Sequence, residues 1–110
     1  MPKYMVAGSY TSESWARMVD NAGDRSAVVR KTCEDVGGTL ETYYWAFGPD
    51  DFVAIVDVPD DASVAAISVG VSSSGAVHKV HTVRLITMEE TQALLAKAKT
   101  VSAGYRRPGT

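Results

Sequence analysis

Leu40-Glu41-Thr42-Tyr43-Tyr44-Trp45-Ala46-Phe47-Gly48-Pro49-Asp50-Asp51-Phe52-Val53-Ala54-Ile55-Val56-Asp57-Val58 is the stretch whose reading decides the fold. Two runs rich in β-branched and aromatic residues, Leu40 to Phe47 and Phe52 to Val58, flank a Gly-Pro-Asp-Asp turn. Gly37-Gly38 stands before them and Pro59 after them, so the stretch predicts a β-hairpin. Gly48 is expected to hold a backbone conformation that is costly for residues with a Cβ. Alternation sends Phe52, Ala54, Val56 and Val58 to one face of the sheet and Val53 and Ile55 to the other. In the preceding strand it sets Tyr43, Trp45 and Phe47 against Leu40, Tyr44 and Ala46. Both faces are therefore apolar. A sheet covered by helices on one side only should be polar on the other, so a second copy of the same sheet, related by a two-fold axis, is the expected cover.

Working outward toward the N-terminus, Lys3 to Tyr10 alternates as a first strand and ends at Thr11-Ser12, hydroxyl residues suited to starting a helix. Trp15, Met18, Val19 and Ala22 follow at helical spacing, and Gly23-Asp24 interrupts them. Asp24 is placed to cap a second helical segment whose stripe is Val28, Val29, Thr32, Cys33 and Val36, closed by Gly37. Beyond the hairpin, Pro59-Asp60-Asp61 ends the strand, and Asp60 or Asp61 caps a helix over Ala62 to Ser74, which Gly75 closes. Ala76 to Ile86 reads as the fourth strand. Thr87-Met88-Glu89-Glu90 is a capping box that opens a last helix with Thr91, Leu94, Leu95 and Ala98 on one side. The order is β-α-β-β-α-β plus a C-terminal helix: an α+β, ferredoxin-like antiparallel sheet with helices on one face. One domain is expected over residues 1–102, with a flexible tail over 103–110.

Composition bounds the function. At 110 residues the chain has room for one core, and a formal net charge of -2 leaves no electrostatic footprint for nucleic acid. Phe52 to Val56 follows two aspartates, where a single-stranded RNA binder of the same topology would show basic and aromatic residues. Cys33 is the only cysteine, which excludes an intrachain disulfide and paired-cysteine metal motifs and suits a reducing cytoplasm. No apolar run approaches the roughly 18 residues that a spanning helix needs, and the N-terminus enters a strand at once, so a soluble, unprocessed cytoplasmic protein is expected.

The residues that could carry chemistry are few. His78 and His81, three apart on one strand, point to opposite faces and make no metal pair unless a bulge intervenes. Either could face a pocket as a general base. The aspartates near the hairpin read as caps and turn residues, Asp50 or Asp51 bonding its own backbone. Cys33 reads as a small hydrophobe. Tyr10 and Trp15 sit where the first helix leaves the sheet, and such a corner is hard to fill. Together with Trp45, His78, His81 and Arg84 they form the candidate pocket.

These residues resemble the GYD-domain family, named for a Gly-x-Tyr-Asp signature in the hairpin turn. The matching features are Tyr10-Thr11, Arg25, Gly37-Gly38, Gly48, Asp51-Phe52, Pro59-Asp60-Asp61 and Gly75, in that order. The signature tyrosine is replaced by Asp50. The resemblance implies a dimeric α/β barrel and names no chemistry. The expected function is binding of a small molecule in such a barrel, without metal or cofactor. The alternative is a cofactor-free enzyme of oxygenase or lyase type acting on a small planar or phenolic compound. The expected partners are a second copy of the chain and a small ligand, with neither nucleic acid nor membrane.

Overall fold

A computed structural model describes residues 1–110. The elements run β1 (Lys3–Tyr10), α1 (Ser12–Asp20), α2 (Arg25–Asp35), β2 (Thr39–Trp45), β3 (Phe52–Asp57), α3 (Asp61–Ser73), β4 (Val77–Leu85) and α4 (Met88–Gly104). The strands form one antiparallel sheet in the order β2-β3-β1-β4, with α1, α2 and α3 on one face. This is the ferredoxin-like α+β arrangement. No helix is long and apolar enough to cross a membrane.

Local chemistry sets the helix starts. Thr11 accepts the Ser14 N–H, Asp24 the Ser26 N–H and Asp60 the Ser63 N–H, each satisfying a first-turn donor that has no partner within its helix. Thr87 and Glu90 complete a reciprocal capping box. Gly37, with φ +80, ends α2 in the left-handed region. Gly48 does not share that conformation, and a Cβ added there would meet open space. The hairpin turn closes instead through backbone bonds, Ala46 N–H to the Asp51 carbonyl and Asp51 N–H to the Gly8 carbonyl. That corrects the expectation that the turn depends on Gly48.

Two bulges correct the simple alternation. In β2, Leu40 pairs with Val56 and Thr42 with Ile55, so Glu41 is extra, and Leu40 joins Tyr43 on the helix-covered face rather than opposing it. In β4, Tyr10 pairs with Val77 and Ser9 with Lys79, leaving His78 as the extra residue.

The main core lies between sheet and helices: Tyr4, Val6, Ala54, Val56 and Val58 from the sheet, Cys33 from α2 and Val64 from α3. A smaller cluster of Tyr10, Phe52 and Val77 is backed by Trp15 and Met18 of α1. Val19, expected with them, is exposed. On the open face Met5, Ala7, Val53, Ile55 and Val83 form an apolar centre, edged by Lys3, Asp57, Lys79 and His81.

α4 buries none of its residues. It presents Leu94, Leu95 and Val101 to solvent, and Tyr105, just past its end, is exposed as well. The radius of gyration is 17.8 Å and the longest dimension 59 Å, against about 13 Å expected for the radius of a compact chain of this length. A projecting helix of about 25 Å accounts for the excess.

Candidate binding cavity

Helices α2 and α3 straddle the sheet without closing over its middle, and an apolar cavity of about 380 Å³ lies between them. Its floor is Val6, Tyr10, Tyr43, Phe52, Ala54 and Val80 of the sheet. Its walls are the inward stripe of α2, including Val29 and Cys33, and Ile67 and Val71 of α3. Small residues on α3, Ala66 and Gly70, leave the space that larger ones would fill.

One end is closed by five aromatic rings. Tyr10 stands edge-on to Trp15 at 5.2 Å between centroids and lies 5.1 Å from Phe52, while Trp45 packs against Trp15 at 5.2 Å. Edge-to-face contacts of this kind add to the burial of the rings. A hydroxyl chain runs beneath them: the Trp45 N–H donates to the Tyr43 hydroxyl at 3.2 Å, which shares a 2.5 Å hydrogen bond with the Tyr10 hydroxyl. The Asp51 carboxylate fixes the corner, accepting the Tyr10 backbone N–H at 3.0 Å and the Trp15 indole N–H at 3.3 Å. It ties the hairpin to the start of α1 and does not bond its own turn, contrary to the expectation for this residue.

Ionisation in the cavity is simple. Burial, reinforced by the Tyr10 hydrogen bond, pushes the Tyr43 hydroxyl well above the usual phenol range, so it stays protonated. Burial likewise pushes the Cys33 thiol up. The charged side chains in the lining are Arg25 and Asp35, the latter paired with Lys31 at 3.0 Å.

Of the candidate pocket residues, Tyr10 lines the cavity, and Trp15 and Trp45 stand behind it in the aromatic wall. The other three lie elsewhere. His81 is on the open face, 3.5 Å from Asp50, and Lys79 reaches the same carboxylate at 3.6 Å. His78 occupies the bulge, exposed. Arg84 lies over the Tyr4 ring at 5.8 Å and pairs with Glu90 at 2.9 Å, while the Tyr4 hydroxyl bonds Asp61. No group of His, Cys, Asp and Glu side chains converges to hold a metal ion. Tyr43 and Arg25 also line the cavity, outside the candidate pocket drawn from the sequence. A spacing signal existed for Tyr43, whose side chain shares its face with Phe52 and Trp45, while Arg25 stood out only as a feature of the family resemblance, which gave it no role.

The GYD domain profile matches residues 4–95. The chain belongs to the GYD-domain family. It is 30% identical over 99 residues, 90% of this chain and 100% of the relative, to the glutamine synthetase and cystathionine beta-lyase binding protein of Thermus thermophilus. Two solved structures share the fold. FFRP-DM1 matches with a TM-score of 0.51 at 14% identity, over 78% of this chain and 100% of that one. TTHA0845, also from Thermus thermophilus, matches with a TM-score of 0.52 at 17% identity, over 79% of this chain and 95% of that one. Within the family signature this chain reads Gly48-Pro49-Asp50-Asp51. Its final aspartate, Asp51, is the residue that locks Tyr10 and Trp15, and Asp50, in the tyrosine's place, faces Lys79 and His81.

Proposed function

We propose that this GYD-domain protein is a cytoplasmic homodimer that binds a small molecule in the cavity between its sheet and α2 and α3. The carrying observation is the cavity itself: apolar walls, an aromatic end, and a few polar groups at fixed positions. Binding is favoured over catalysis because no imidazole lines the space, the Tyr43 phenol and the Cys33 thiol stay protonated at neutral pH, and the one carboxylate in the lining, Asp35, is paired with Lys31. The oxygenase- or lyase-like alternative needs a group that accepts a proton within reach of the ligand.

Dimerisation is supported by the apolar centre of the open face and by α4, which no part of its own chain buries. In proteins most helical stability comes from packing of an apolar face, and one two-fold axis would cover both surfaces. Equilibrium sedimentation should give twice the chain mass of 11.7 kDa; a single-chain species at all concentrations would refute the dimer.

A second reading, docking on a larger enzyme, draws on the name of the Thermus relative and on the hairpin tip, where Tyr44, Trp45 and Phe47 are exposed. Co-elution with glutamine synthetase that is lost in Phe47→Ser would favour it.

The cavity is tested by thermal shift with a panel of small aromatic compounds on wild type and on Val71→Trp, which fills the space from α3. A ligand at 100 times its Kd stabilises by about 2.7 kcal/mol. Its Tm shift should vanish in Val71→Trp, and equal shifts in the two proteins would remove the cavity from the site.

A further inference from the structure

Arg25 is the cation without a counterion in the cavity wall. It is the first residue of α2, its Nε is buried with no hydrogen-bond partner, and its guanidinium enters none of the ion pairs formed by Lys3, Arg17, Lys31, Lys79 and Arg84. Arg25 is partly exposed, so water reaches the guanidinium, but its shielded Nε is a donor that the acceptor of a bound ligand would satisfy.

Arg25 also stands at a junction. A second cavity of about 190 Å³ is lined by Tyr10, Ser14, Arg17, Met18, Arg25 and Ala76. Tyr10, Arg25 and Ala76 line the large cavity too, so the two spaces adjoin there. The large one is mostly apolar, and the small one carries the Tyr10 and Ser14 hydroxyls and two guanidinium groups. Nearby carboxylates are already committed: Glu13 to Arg17 at 2.7 Å, Asp24 to the Ser26 N–H at 2.9 Å, Asp51 to Tyr10 and Trp15, and Asp35 to Lys31. One positive charge remains unbalanced.

We propose that the ligand is an amphipathic monoanion, an aromatic or branched carboxylate whose apolar body fills the large cavity and whose carboxylate pairs with Arg25. The assignment rests on the cavity being the binding site. Guanidinium suits it because its N–H fork matches the two oxygens of a carboxylate. A single free charge matches a monoanion; a phosphate dianion would need further donors, and Arg17 is already neutralised by Glu13.

The test compares phenylacetate with phenylacetamide, equal in shape and different in charge, by isothermal titration calorimetry on wild type, Arg25→Gln, Arg25→Lys and Val71→Trp. Wild type should bind phenylacetate at least about tenfold more tightly than the amide. Arg25→Gln should bring the ratio near one, and Arg25→Lys should restore part of it. A ratio near one in wild type, or a preference that survives in Arg25→Gln, would overturn the monoanion assignment while leaving the cavity in place. If neither compound binds wild type, or both bind Val71→Trp unchanged, the cavity reading falls and this inference with it. The wild-type ratio decides the matter even if Arg25→Gln fails to fold.

Discussion

Replacing Gly8 by alanine should destabilise the protein, although the same change in an ordinary strand is favourable. Gly8 lies near the end of β1, the strand between β3 and β4. A Cβ there would lie 2.1 Å from the Lys79 carbonyl oxygen and 3.0 Å from Cζ of Phe52. The first contact is with backbone, so β4 itself would have to retreat by about 1 Å to reach ordinary van der Waals separation. Overpacking of this kind costs roughly 1–3 kcal/mol, and each weakened ladder hydrogen bond adds about 0.5–1.5 kcal/mol. Against this, alanine restricts the unfolded chain and contributes about 0.4–1 kcal/mol of stability. β4 is an edge strand and can move outward, which keeps the cost at the lower end. The balance is a loss of about 1 kcal/mol, or a Tm lower by roughly 4–8 °C. Urea unfolding should show a lower midpoint at unchanged slope, with faster amide exchange along β1 and β4. A Gly8→Ala protein as stable as wild type, or more so, would refute the close approach of β4 to β1.

Tyr43→Phe removes the middle of the hydroxyl chain and leaves the Trp45 N–H and the Tyr10 hydroxyl to find other partners; a loss of about 1 kcal/mol in urea unfolding is expected, and none would show that solvent satisfies both groups. The hydrogen bonds from Ser63 and Ser26 hold the Asp60 and Asp24 carboxyls below the usual range. A depressed folded pKa gives stability that is present above the unfolded value and is lost as pH falls through the folded one, so unfolding midpoints should drop below about pH 4. Asp60→Asn should flatten that drop, and an unchanged acid profile in the variant would refute the assignment. Gly48→Ala should leave stability within about 0.5 kcal/mol, because the site has a negative-φ backbone and open space; a larger loss would restore a special role for this glycine.

The order of elements could be read from the sequence because its causes are local. The caps at Thr11, Asp24, Asp60 and Thr87 satisfy donors within three residues, and the alternation of β1 and β3 depends only on the pleat. Asp60 rather than Asp61 caps α3, while Asp61 instead reaches the Tyr4 hydroxyl, a partner far along the chain. What the sequence could not show is set by distant pairings. The bulges at Glu41 and His78 arise from cross-strand register, and a one-residue slip reverses the faces of everything beyond it. That is why Leu40 moved to the core side. The candidate histidines were separated from the cavity by strand position in the assembled sheet, with His81 on the open face. The cavity lies where α2 and α3, side by side on one face of the sheet, leave its middle uncovered, with small residues of α3 in the lining, a volume mismatch between segments distant in the chain. Arg25 acquired its unpaired charge in the same way. Chain order placed it at a helix start, and tertiary packing alone put its guanidinium between two cavities with no carboxylate left to meet it.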